Sequence, residues 1–309
     1  MDPEFWLIST LSRALAFGTP LLWGALGEIY AERAGVINLG VEGMMILGAF
    51  FAFAVAQTTG HVGLGLLAAA AVGGVAALLH AFLAVTLRAN QYVAGLALTM
   101  IGLGLAGLLG RGWEGTPLQQ PLLDVSIPWL SSLPLLGPAL FTGQSPLTYL
   151  GLLLAAILWW VLYHTRWGIL LRSCGEAPAA ADAAGVNVSL VRYLAVLFGG
   201  VMAGVAGGFL SVAYRPSWTE GMTAGMGWIA VAIAIFAAWD PLKAVGGAVL
   251  FGACYHLAFR WQGWVVPELL KLMPYALTIV VLALTAVVKE RRWRGAPEAL
   301  GLPYVRGER

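Results

Sequence analysis

Between Gly43 and Leu87 the chain carries no Asp, Glu, Lys or Arg, and stretches of the same kind recur as far as Val288. Segments this long and this apolar belong in a bilayer, whose hydrocarbon core of about 30 Å takes about 20 apolar residues per helix. A chain of 309 residues that is 60% hydrophobic and only 10% charged crosses such a core many times. That density excludes a soluble domain carried on one anchor, and the expected fold is all-α and polytopic.

Forty glycines lie among the Ala, Leu and Val. They would weaken soluble helices, but in a membrane small residues let helix backbones approach closely. The net charge of +2 gives no reason to expect nucleic acid. The two cysteines, Cys174 in a polar connection and Cys254 in an apolar run, read as unpaired packing or loop residues. Acids at Asp2 and Glu4, without a basic region before them, argue against a cleavable signal peptide.

Apolar spans fall at 6–29, 36–56, 62–87, 91–109, 146–165, 190–213, 225–239, 244–260 and 270–288, so about 8–10 transmembrane helices are expected in one permease-sized domain, 1–309. Between the fourth and fifth lies a long Pro-, Leu- and Ser-rich connection, 111–145. Basic residues mark the cytoplasmic side, and they gather in the tail 289–309, at Lys289, Arg291, Arg292, Arg294, Arg306 and Arg309. Counting back from a cytoplasmic tail puts 240–243 and 166–192 inside, 214–221 and 111–145 outside, and the amino terminus outside. A broken or re-entrant segment in the first 60 residues would return that terminus to the cytoplasm.

The span 36–56 invites such a break, because Asn38, Gly40, Glu42 and Gly43 interrupt one end of it. A carboxylate at bilayer depth costs at least a few kcal/mol unless it is paired or wetted, so Glu42 either braces a helix end or faces a polar path, with Arg33 as a candidate partner. The connection 172–192 is the most informative polar segment. Pro178 suits a first helical turn, Ala179, Ala180 and Ala181 form helix strongly, and Gly185 suits the stop. A short helix between two membrane spans is the expectation, suited to docking a soluble partner.

The stretch Leu26-Gly27-Glu28, then Glu32-Arg33-Ala34-Gly35-Val36-Ile37-Asn38-Leu39-Gly40-Val41-Glu42-Gly43-Met44-Met45 and Leu47-Gly48-Ala49-Phe50, resembles the signature of nucleoside-type ABC importer permeases, which belong with the ribose and branched-chain amino acid permeases. Three further stretches are similar: Gly175 to Val188 to the coupling-helix region, Gly199 to Gly208 to the Gly-rich helix after it, and Thr223 to Ala230 with Asp240-Pro241-Leu242 to a late segment. The length is similar to that of the shorter of two permeases that pair in nucleoside systems. One departure is Ala177, where the group commonly carries Asn before the Pro, so a side-chain cap is missing.

The resemblance implies a type II-like ABC importer permease in a bacterial inner membrane, multi-pass, with its carboxyl terminus cytoplasmic. It implies a second permease subunit in a heterodimer, ABC ATPase subunits and an extracytoplasmic substrate-binding protein. It places ATPase coupling on Gly175, Glu176, Ala177, Pro178, Ala179, Ala180, Ala181, Asp182 and Gly185. The chain has no phosphate loop of the G-x-x-x-x-G-K-[ST] kind, so ATP and Mg are expected on the ATPase chains, with no cofactor, metal or catalytic residue here. Asn38, Glu42, Asn90, Gln91 and Thr99 are the polar candidates for the substrate path.

Gly200, Gly204 and Gly208 share one helical face, and Gly221 and Gly225 repeat the spacing in the next connection, as expected of close packing. Ala71-Val72-Gly73-Gly74 echoes Ala244-Val245-Gly246-Gly247 in a span of opposite direction, the sign of an inverted repeat. His80 and His256, without partners at metal-ligand spacing, read as packed residues. The expected function is alternating-access import of a nucleoside or related nucleobase-like solute. Ribose, riboflavin-like and branched-chain amino acid solutes are the alternatives within the group. An ion-coupled secondary transporter is the alternative outside it, and it would need more deep ionisable groups than Glu42.

Overall fold

A backbone in lipid must satisfy its own N–H and C=O groups, and a helix does so within one segment. The computed structural model describes residues 3–134, 136–260 and 295–306, with scattered positions between 266 and 283. Among them regular structure is helical throughout, and β pairing is confined to isolated bridges. The long helices are α1 (Pro3–Arg33), α2 (Val41–Thr59), α3 (Val62–Ala81, continued by a π turn to Thr86), α4 (Gln91–Gly110), α5 (Pro146–His164), α6 (Arg166–Glu176), the short α7 (Pro178–Ala183), α8 (Val188–Phe209, continued by a π turn to Tyr214), α9 (Met226–Phe236) and α10 (Pro241–Arg260). Five segments, Val41–Thr59, Val62–Thr86, Gln91–Trp113, Pro146–His164 and Val188–Tyr214, are long and apolar enough to cross a membrane. Most of the span expected at 270–288, and Lys289, Arg291, Arg292, Arg294 and Arg309 of the tail, lie outside the described residues.

Two expected spans differ in form. The span 36–56 begins as helix only at Val41, leaving 34–40 irregular. The span 225–239 holds a helix of just 11 residues, about 16 Å long at 1.5 Å per residue, too short to cross. The chain reaches it through turns at 219–225, where Gly221 and Gly225 have φ of +67° and +83°. These two glycines serve turns that only positive φ can make, and not the helix contact anticipated for them.

Contacts at the helix ends fix two poles. At one, Gln144 donates to the Ser12 carbonyl and hydroxyl, the 111–145 connection is stitched to 212–218 through Leu118–Pro216 and Leu122–Val212 backbone bonds, and Gln57 accepts from the Gln119 amide. At the other lie Arg33, α6, α7, Trp239 and residues 295–306. The amino-terminal end of α1 therefore shares a pole with 111–145 and 214–221, as the counting argument required. The break at 34–40 is not re-entrant, because α1 ends at the second pole and α2 runs from there to Thr59 at the first.

An inverted repeat is visible in the packing. Antiparallel α1 and α8 run through the centre, with Arg192 of α8 bonded to the Ala34 carbonyl past the end of α1 and Phe17 of α1 edge-on to Tyr214. On one side α3 packs on α8, where a Cβ on Gly204 would strike the Ala69 carbonyl and one on Gly200 the Gly73 carbonyl. On the other side α10 packs on α1 in the same manner, Gly18 against the Ala248 carbonyl and Gly252 against the Ala14 carbonyl. The register is thus Ala69 with Ala248 and Gly73 with Gly252. The echo of 71–74 in 244–247 is not the structural one, since Gly246 faces open space.

Candidate functional site

The irregular segment 34–40 lies inside the bundle, where each exposed backbone group needs a partner. Side chains of α3 and α4 supply several of them. Gln91, opening α4, accepts from the Ile37 amide at 2.8 Å, His80 of α3 bonds the Ile37 carbonyl at 2.9 Å, and Thr99 donates to the Leu39 carbonyl at 2.9 Å. Asn38, fully buried, accepts from Gly40 N–H and donates to Glu28 at 3.3 Å. Four anticipated path residues, Asn38, Glu42, Gln91 and Thr99, are thereby brought together, along with His80, read from sequence as a packed residue. Most of their hydrogen bonds go to backbone groups, while Gln91 Nε2 and His80 Nδ1 are buried without a hydrogen bond among the described residues. Asn90 stands apart, exposed, as the N-cap of α4.

Glu42 joins the two broken segments. Its carboxylate accepts from the Thr223 hydroxyl at 2.6 Å, Gly225 N–H at 2.9 Å and Gly227 N–H at 2.7 Å, and the residue is 3% exposed. The two amides are free groups at the N-terminus of α9, so Glu42 is a cap supplied from another helix, with its carboxylate at the positive end of the α9 dipole. Arg33 does not pair with Glu42. Instead its guanidinium donates to the carbonyls of Ala238, Trp239 and Gly295, a cation at the carbonyl end of the same helix. An 11-residue helix thus has an acid at one end and a base at the other, both held from outside it.

Two further carboxylates are buried that the sequence did not single out. Glu32 accepts from the Trp239 indole. Glu28 is fully buried with one oxygen bonded to Asn38 and the other without a hydrogen bond among the described residues. Their signal was present as acids near the end of the 6–29 span, one helical turn apart.

At the second pole the expected short helix forms as α7, Pro178–Ala183, with Pro178 in its first turn and Gly185 at φ +87° after it. Ala177 offers no side-chain cap. The preceding α6 was not anticipated, although Trp167, Leu170, Leu171 and Cys174 recur on one helical face. Burial pushes the Cys174 thiol up, opposed by nearby Arg192. Both cysteines are free.

Residues 295–306 are sewn onto this region. Ala299 N–H donates to the Gly175 carbonyl, Gly301 N–H to Gly35, and Glu298 N–H to the Glu176 carboxylate. Arg306 pairs with Asp182 at 3.2 Å. Arg192, 2% exposed, donates to the carbonyls of Ala34, Leu302 and Cys174, clamping three chain segments with one planar guanidinium.

No group of His, Cys, Asp or Glu among the described residues could hold a metal ion. What the arrangement offers instead is a charged, small-residue helix on one pole wired to a break inside the bundle.

Residues 10–282 match the family described as branched-chain amino acid transport system / permease component. A permease of Haloferax volcanii, provisionally named for a glucose ABC transporter, is 38% identical, with 96% of this chain and 97% of the relative covered. The guanosine ABC transporter permease NupQ of Bacillus subtilis is 36% identical, with 96% of each chain covered. The nucleoside ABC transporter permease NupC of Lactococcus lactis is 33% identical, with 96% and 97% covered. No solved structure matches the chain. With a family match over nearly all of its length and full-length relatives that are ABC permeases, the chain belongs to the branched-chain amino acid transport system permease family, as a membrane subunit that leaves ATP hydrolysis to another chain.

Proposed function

We propose that this permease imports nucleosides, as one half of a heterodimeric translocation path in a bacterial plasma membrane. The observation that carries the solute is the likeness, over 96% of the chain, to a guanosine and a nucleoside permease, in agreement with the signature at 26–50. A second reading, a hexose as solute, rests on the 38% identity with the glucose-named relative. Bacillus subtilis holds two guanosine permeases related to this chain, NupQ and NupP, the situation a heterodimer requires.

The pole bearing α6, α7 and 295–306 faces the cytoplasm on the positive-inside argument, and ATPase subunits carrying ATP and Mg dock there on Glu176 to Gly185. A binding protein delivers solute at the opposite pole. Closure of the ATPases pushes α7, and the bundle opens alternately to either side. A path that binds solute equally in both states shifts no equilibrium, so the polar side chains of the path need hold it only weakly. Those at 38–42 instead keep an irregular backbone satisfied while the helices around it move.

The test is uptake of labelled guanosine, other nucleosides, glucose and ribose into proteoliposomes holding this chain with its partner permease, ATPase and binding protein. ATP-dependent accumulation of nucleosides that vanishes when this chain is omitted is the expected result. Accumulation of glucose alone would replace the cargo, and uptake without ATP would overturn the mechanism. Changing Glu176 and Asp182 to Lys is expected to uncouple ATP hydrolysis from uptake while the bundle stays folded, and undiminished uptake would contradict the docking role.

A further inference from the structure

The exposed surface around α7 is not made by α7 alone. Ala179, Ala180 and Ala183 are exposed on it, and beside them stand exposed Leu302, Pro303 and Arg306 of the carboxyl-terminal segment. Backbone bonds from Ala299 to Gly175 and from Gly301 to Gly35, together with the three-carbonyl grip of Arg192, hold the two parts as one piece. Between them opens a polar hollow of about 280 Å³, lined by Arg88, Asp182, Asn187, Ser189, Tyr304 and Arg306 among others. Tyr304 and Arg306 are walls of that hollow, so it exists only because the tail is seated. Arg306 is already engaged with Asp182. Arg88, exposed and held at φ 56° in the turn between α3 and α4, makes no ion pair among the described residues.

We propose that residues 295–306 and α7 together form a composite docking surface for the ATPase subunit, with the hollow receiving an acidic side chain of that subunit against Arg88. This rests on the reading of α7 as the ATPase contact and extends it to a segment far away in sequence. An exposed Ala-rich helix gives shape but little specificity, since Ala presents one methyl group. The uncompensated guanidinium gives orientation, because a carboxylate reaching it forms a bidentate, charge-assisted pair. Leu302, 57% exposed, adds apolar area at the rim. The arrangement also says what α7 pulls on: a push on the composite surface acts on Ala34 and Gly35 through Arg192 and Gly301, and so on the start of the broken segment 34–40.

The experiment is co-purification of the ATPase with tagged permease in the assembled importer, comparing Ala180→Arg, Leu302→Glu and Arg88→Glu. All three side chains are exposed, and gel filtration with a thermal melt establishes that each variant remains folded. Leu302→Glu and Arg88→Glu are each expected to reduce ATPase retention about tenfold, as removing one close charge pair or apolar anchor does at an interface. Full retention by both, with loss in Ala180→Arg, overturns the composite surface and leaves α7 as the whole contact. Retention in Ala180→Arg as well overturns the α7 reading, and this proposal with it. A further arm replaces the acidic residues of the ATPase facing the permease with Lys. Recovery of binding by Arg88→Glu with one of these identifies the pair, and failure of every one overturns the acidic occupant.

Discussion

A carboxylate accepting three hydrogen bonds inside a membrane bundle is stable only because its donors are fixed. Glu42 meets two amides that no helix can satisfy for itself and one hydroxyl, Thr223, placed by the turn before α9. Removing the acid leaves the amides of Gly225 and Gly227 buried without partners, each worth about 1–3 kcal/mol. Glu42→Ala is therefore expected to lower the melting temperature sharply in detergent. Glu42→Gln, which keeps one acceptor, falls between, and Thr223→Val loses about 1 kcal/mol. A fluorescence-detected thermal melt decides it, and a Glu42→Ala protein as stable as the parent would refute the capping role. The carbonyl end of α9 is held by Arg33, so the two residues brace one short helix from opposite ends.

At the scale of elements, close approach of backbones sets which residues are allowed. Gly73 and Gly252 occupy equivalent places in the two halves, the first against the Gly200 carbonyl and the second against the Ala14 carbonyl. A side chain at either one must push helices apart, at a cost of about 1–3 kcal/mol. Gly73→Val and Gly252→Val are expected to destabilise the bundle by similar amounts, while Gly246→Val, in open space, leaves the melt unchanged. Unequal effects at the first two positions would break the repeat relation. The glycine face of α8 was legible from its four-residue spacing. The register of the repeat was not, because it rests on which carbonyl each glycine meets and not on which residues look alike.

The whole molecule is polarised. Most of the described basic groups share one pole with the coupling region, and the long 111–145 connection shares the other with the start of α1 and with Arg13, Arg111, Arg215 and Arg260. In a background without Cys174 and Cys254, a cysteine at Ser132 is expected to react with membrane-impermeant maleimide in intact cells, and one at Ala296 only after lysis. The reverse pattern would invert the orientation, and labelling of both from outside would contradict the separation of the poles.

The absence of charge from Gly43 to Leu87, and its recurrence, determined by itself that this chain folds as membrane helices, because no other structure closes a backbone's hydrogen bonds within a segment in lipid. Pro178 and Gly185 likewise marked α7, since first-turn proline and positive-φ glycine are local constraints. Asn38, Glu42, Gln91 and Thr99 were visible as polar residues out of place, but not what they bind: their partners are mostly backbone groups of 37–40 and 225–227, with the side chains of Glu28 and Thr223, and a sequence does not show which amides the fold leaves open. Only the tertiary structure decided that the 225–239 span shortens to 11 residues, that Arg192 grips three separate segments, and that residues 295–306 return to bond the end of α6 and Asp182 of α7. Each depends on groups far apart in the chain meeting in a medium without water to satisfy them.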